Sequence, residues 1–127
     1  MASRISELVI DCTDPDRLAA FWGGVLGYVE LGREKDGSIE IGPPGAGFGG
    51  PQPTLVLSPG GGPRSGKLPL HIDVNATDRD QSAELERLLA LGARHADVGQ
   101  TGEESWHVLA DPEGNEFCLL RTRLPPL

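Results

Sequence analysis

Glu7, His71 and Glu116 are among the residues of this chain whose types could do chemistry. One imidazole and two carboxylates suit Zn²⁺, Fe²⁺, Mn²⁺, Co²⁺ or Ni²⁺, and three such donors leave a coordination position open for a substrate. With one histidine instead of two, the usual iron triad is less favoured. Their spacing carries a repeat. Glu7 precedes Asp14 by seven residues, His71 precedes Asp78 by seven, and the two pairs are offset by 64.

Strands must aim these side chains. Residues 5–12 alternate, with Leu8, Ile10 and Cys12 on one face and Glu7, Val9 and Asp11 on the other. Asp14-Pro15 then opens a helix whose apolar stripe is Leu18, Phe21, Trp22 and Val25, and Gly27 stands where a left-handed cap belongs. Residues 28–33 and 38–41 read as strands around the hairpin signal Asp36-Gly37. Nine of the twelve residues from 42 to 53 are Gly or Pro, a loop, and strand character resumes over 54–58. Residues 59–67 read as a linker.

The order then repeats. A strand over 70–74 is followed by a helix after Asp78, with Leu85, Leu88 and Leu89 as its stripe and Gly92 at its end. A hairpin of 93–98 and 105–110, a tight acidic loop at 111–115 and a strand over 116–120 complete it. The pattern predicts a single domain of residues 1–127, with one βαβββ module over 5–58 and another over 68–122. Alternation turns Glu7, Val9 and Asp11, then His71, Asp73 and Asn75, then Glu116 and Cys118, away from the helices. Halves of about 60 residues, too small to fold well alone, are expected to share one ligand cleft.

Composition narrows the partners. The 127 residues carry 11 Lys and Arg against 19 Asp and Glu, a net charge of −8. Nucleic-acid affinity rests on Lys and Arg displacing counterions, so no nucleic acid or anionic membrane is expected. The longest near-continuous apolar stretch, residues 88–93, is far short of the roughly 20 that span a bilayer, and no signal-peptide core opens the chain. A cytoplasmic protein is the expectation. Cys12 and Cys118 are too few for a disulfide scaffold and read as reduced thiols. Neither a Gly-x-Ser-x-Gly elbow nor a Gly-Lys-Ser/Thr phosphate loop occurs.

Taken with the repeat, several motifs make the chain resemble the vicinal oxygen chelate superfamily, in particular its small glyoxalase-like and bleomycin-resistance-like proteins. They are Asp14-Pro15, Phe21-Trp22 and Leu26-Gly27 in the first half. In the second they are Leu70-His71-Ile72-Asp73, Leu91-Gly92-Ala93 and Asp111-Pro112-Glu113-Gly114-Asn115-Glu116-Phe117. The resemblance covers residues 5–120. It implies an α+β fold in which two βαβββ modules form a curved mixed sheet around a central cavity. In metal-dependent members it implies a divalent ion held by one residue from the first and one from the last strand of each module. Substrate oxygens chelate that ion, and isomerisation, lyase chemistry, ring-cleaving oxygenation or epoxide opening follows. Metal-free members sequester drugs in the same cavity.

Carried onto this chain, the resemblance makes Glu7, His71 and Glu116 metal ligands. Gln52 takes the fourth position, because it follows Glu7 by 45 residues as Glu116 follows His71. Glu7 and Glu116 are also candidate catalytic bases. Asp11, Asp73, Trp106, His107 and Cys118 are candidate cavity residues, Trp106 offering a stacking face to a planar ligand. Structural roles compete: His71 hydrogen-bonded to Asp73, Glu116 closing a hairpin, Trp106 in the core. Two functions follow. One is a metal-dependent lyase, isomerase or oxygenase acting on an oxygen-rich small molecule. The other is a metal-free protein that sequesters a hydrophobic or cationic drug, with Glu7, Asp11 and Asp73 as its acidic rim. A homodimer is expected, its cavity formed within one chain or by module exchange.

Overall fold

The computed structural model describes residues 2–61, 66, 68–97 and 102–127, which fall into two compact units, Met1–Ser65 and Gly66–Leu127. In the first, β1 (Glu7–Cys12) leads through α1 (Pro15–Leu26) to β2 (Val29–Arg33), β3 (Ile39–Gly42) and β4 (Thr54–Pro59). The sheet runs β1-β4-β3-β2, with β1 parallel to β4 and the other pairs antiparallel. A parallel pair cannot be closed by a tight turn, so the chain between β1 and β4 is occupied by the helix and a hairpin.

Local chemistry sets the ends of α1. Asp14 accepts the Arg17 N–H at 3.1 Å, Pro15 presets the first helical φ, and Gly27 takes the left-handed cap at φ 68°. The helix buries Leu18, Ala19, Phe21, Trp22 and Val25 and packs on β3 and β4. Beneath it Ile39, Ile41, Leu55 and Leu57 are almost wholly buried, on the sheet face they share with Leu8 and Ile10. Each such side chain contributes about 1.5–3 kcal/mol. A slip of one residue would bring Glu7, Val9 and Asp11 under the helix, so this burial fixes the register.

The second unit has the same order: β5 (Ile72–Val74), α2 (Gln81–Leu91), β6 (Arg94–His95), β7 (His107–Ala110) and β8 (Glu116–Leu119). Its sheet runs β5-β8-β7-β6, with β5 parallel to β8. Leu109, Phe117 and Leu119 are fully buried on one face. Gln81, at the start of α2, donates its side-chain amide to the carbonyls of Ser105 and Leu119, at 2.9 and 3.3 Å, and so ties helix to sheet.

The repeat is not gapless. Asp80, not Asp78, caps α2 by accepting the Ala83 N–H at 2.8 Å, while Asp78 pairs with Arg79. Of the predicted stripe only Leu88 is fully buried; Leu85 and Leu89 are partly covered. Glu84 is buried as well, because Arg87 holds its carboxylate with two hydrogen bonds of 2.7 and 2.8 Å. The predicted strand over 70–74 begins only at Ile72, and that over 105–110 only at His107. The strand over 93–98 reduces to Arg94–His95. Its predicted end at Val98, and residues 62–65 and 67 of the linker, lie outside the described residues. Among the described residues no helix is long and apolar enough to cross a membrane.

Asp111 turns β7 into β8. Fully buried, its carboxylate accepts the backbone N–H groups of Glu113 and Asn115 and the Asn115 side-chain amide, each at 2.9 Å. Asp111→Ala leaves these donors without a partner. The expected loss is about 1–3 kcal/mol, read as a lower urea midpoint with an unchanged m-value.

Candidate metal and ligand site

In each unit one sheet face is packed mainly with apolar side chains and most polar strand residues take the other, which in the second unit also carries buried Val108 and Ala110. In the second unit Asp73 on β5 is the direct register partner of Cys118 on β8. His71 stands two residues before Asp73, and its Nε2 lies 3.1 Å from Asp73 Oδ1. One donor atom from each of His71, Asp73 and Cys118 lies within 4.8 Å of the other two. Among the described residues, these three are the group of His, Cys and acidic side chains that can hold a metal ion. Glu116, at the start of β8, shares the Cys118 face and is half-buried. Ile72 pairs with Phe117, so Glu116 directly precedes one member of that pair and His71, just ahead of β5, the other.

In the first unit the corresponding pair is Glu7 and Thr54, because β1 and β4 align Glu7 with Thr54. The strand partner of Glu7 is therefore Thr54 and not Gln52, which is exposed and stands ahead of β4. Sequence reading missed Glu40, a further carboxylate of this face. Thr54 is fully buried and its hydroxyl donates to Glu40 Oε2 at 2.9 Å. Alternation around Ile39 and Ile41 carried the signal, since it turns Glu40 away from α1. Asp11 is exposed on the Glu7 face, along β1.

Two other candidates separate. His107 pairs with Leu119 and so lies on the apolar face, opposite Asp73 and Cys118. Trp106 stands just ahead of β7 with 43% of its surface exposed, open to a stacking partner and outside the core. Cys12 is buried, Cys118 is half-buried, and neither forms a disulfide.

A family model for the glyoxalase-like domain matches residues 7–120. The chain belongs to the glyoxalase-like domain family. No curated protein matches it in sequence. Among solved structures it is similar to a mutant of the fosfomycin resistance protein FosX from Listeria monocytogenes, complexed with Mn(II) and 1S,2S-dihydroxypropylphosphonic acid. The TM-score there is 0.71 at 17% identity, covering 98% of this chain and 94% of that one. FosX from Mesorhizobium loti gives 0.69 at 17%, with 98% and 96% covered. A glyoxalase/bleomycin resistance/dioxygenase family enzyme from Burkholderia phytofirmans PsJN gives 0.66 at 17%, with 92% and 97% covered. At these identities the likeness shows the glyoxalase-like fold, and it agrees with two βαβββ units.

This glyoxalase-like domain has a further groove in its first unit, of about 450 Å³, lined by Asp16, Ala20, Gly23, Tyr28, Glu30 and Arg33 among others. Its polar groups satisfy one another. Arg33 bonds Glu30 at 3.0 Å and Asp16 at 2.8 Å, and these partners hold its guanidinium even more firmly charged. Tyr28 donates to the Pro53 carbonyl at 2.8 Å, and burial pushes its phenol up.

Gly42 is required beside the Thr54–Glu40 pair. A Cβ there would lie 2.7 Å from Leu31 Cδ1 and 2.8 Å from Thr54 Cγ2. Leu31 is partly exposed and can swing aside, whereas Thr54 is enclosed. Gly42→Ala is expected to destabilise the fold by about 1–3 kcal/mol, and adding Thr54→Ser, which removes the obstructing methyl, to recover part of that loss in a double-mutant cycle.

Proposed function

We propose that this glyoxalase-like domain is a divalent-metal-dependent enzyme acting on a small, oxygen-rich molecule. Its proposed donors are His71 and Glu116 in the second unit and Glu7 in the first. The observation that supports this reading most is the pairing of Ile72 with Phe117 in parallel β5 and β8, because His71 immediately precedes the one and Glu116 the other. The donor types fit a divalent ion. The FosX structure that carries Mn(II) together with a dihydroxypropylphosphonic acid supports metal and small oxygenated ligand alike.

When bound, such an ion polarises a substrate oxygen as a Lewis acid. The chain's own residues do the rest. Glu116 or Glu7 takes a proton from the substrate as general base. Trp106 offers its exposed ring to a planar part of the ligand. Lyase, isomerase and oxygenase outcomes share this arrangement, and a cytoplasmic homodimer completes the reading.

A second reading has its own observation. Val9 is 58% exposed between Glu7 and Asp11 on one strand face, an apolar strip edged by two carboxylates that suits a hydrophobic, cationic drug. A sequestering protein of this kind binds such a compound without altering it.

Elemental analysis and metal reloading separate the two. The enzyme reading expects about one ion per chain, a melting temperature that rises on loading and falls with chelator, and turnover in a screen of epoxides that includes fosfomycin. His71→Ala should weaken metal binding by more than the roughly 10–100-fold that loss of an outer partner causes. Turnover unchanged in Glu116→Gln rejects the base role. A chain that binds none of the five ions and shows no melting shift rejects the enzyme.

A further inference from the structure

Asp73 and Cys118 are directly opposed across the β5–β8 pair, and His71 joins them on the same side of the sheet. Nothing in the functional reading uses Asp73 or the thiol. We propose that His71, Asp73 and Cys118 form a binding site for a divalent ion of borderline softness, Zn²⁺ or Co²⁺, with the Cys118 thiolate as a direct ligand.

The geometry is close to what such an ion needs. Donors about 2.0–2.3 Å from a tetrahedral centre lie about 3.3–3.8 Å from one another. The three donor atoms here already lie within 4.8 Å of each other, and the His71–Asp73 pair is at 3.1 Å. Small side-chain rotations close the remainder. Asp73 and Cys118 sit on neighbouring strands whose register is fixed by buried Phe117 and Leu119, and His71 directly precedes β5, so the backbone is preorganised for the ion.

Charge and chemistry point the same way. A carboxylate, a thiolate and a neutral imidazole together carry two negative charges, which a divalent cation neutralises. Thiolate and imidazole favour Zn²⁺, Co²⁺ or Ni²⁺ over Mn²⁺ or Mg²⁺. The His71 and Asp73 side chains are 53% and 46% exposed, which admits the ion and leaves a coordination position to water or a small molecule. The alternative is that the imidazole simply hydrogen-bonds Asp73 and the thiol packs beside them.

This site shares the ion and His71 with the functional reading but not Glu116 or Glu7, so the two can fail separately. The probe is Co²⁺, titrated into the reduced chain and followed by absorption. A thiolate-to-cobalt charge-transfer band is expected. Zn²⁺ should abolish it and Mn²⁺ should not. Cys118→Ser should lose the band, and Asp73→Asn should weaken Co²⁺ binding by about tenfold or more. Glu116→Gln and Glu7→Gln, once saturated with Co²⁺, should still show it, because neither change removes the thiol. Should Cys118→Ser fail to fold, alkylation of the wild-type thiols serves instead: Zn²⁺ should slow modification of Cys118, and chelator should restore it.

No Co²⁺ binding, or binding without the band, overturns the proposal. So does a band that persists in Cys118→Ser, or alkylation of Cys118 that Zn²⁺ leaves unchanged. Co²⁺ binding that is lost in Glu116→Gln and never shows a thiolate band overturns it while leaving the functional reading in place.

Discussion

A parallel strand pair needs a crossover, and in each unit of this protein the first strand lies parallel to the last. That constraint accounts for the element order, because the residues between the two strands must form the helix and the remaining strands. It also explains why polar groups collect at one place. Where apolar side chains of the pair are packed on one face, strict alternation leaves Glu7, Asp11 and Thr54, or Asp73, Glu116 and Cys118, together on the other.

The polar residues inside the fold are accounted for by local partners. Among the described residues no buried side-chain nitrogen or oxygen lacks a hydrogen bond. Asp111 uses both carboxylate oxygens to hold its loop, Thr54 and Glu40 satisfy each other, and Glu84 is buried because Arg87 grips it in two places. Each arrangement is short in sequence or spans neighbouring strands. None of them removes a donor from the His71, Asp73 and Cys118 group.

The two sheets carry different chemistry on equivalent frames. Opposite Glu7 stands an enclosed threonine committed to Glu40, whereas beside His71 stand a carboxylate and a thiol. A duplicated frame therefore does not impose a duplicated donor set. The frame fixes where side chains emerge; the residue types at those points decide whether a proton, an ion or an apolar surface is offered there. For this reason the family and fold follow from the whole chain, while the activity has to be argued from particular residues.

Much of this was legible in the residues alone. The stripe of Leu18, Phe21, Trp22 and Val25, the Asp14 and Gly27 caps, and the opposed faces of Leu8 and Glu7 are local patterns with periods of 3.6 and 2, and they appear in the structure as read. What depended on pairing between distant segments was not legible. Two-residue differences in loop and cap moved the α2 cap from Asp78 to Asp80 and the partner of Glu7 from Gln52 to Thr54. The same dependence put His107 on the apolar face and set Glu40 beside Thr54. Sequence alone determined which residues alternate and where α1 begins and ends, because those are properties of adjacent residues. Only the tertiary structure decided which donors meet, because strand register is set by the burial of apolar side chains far apart in the chain.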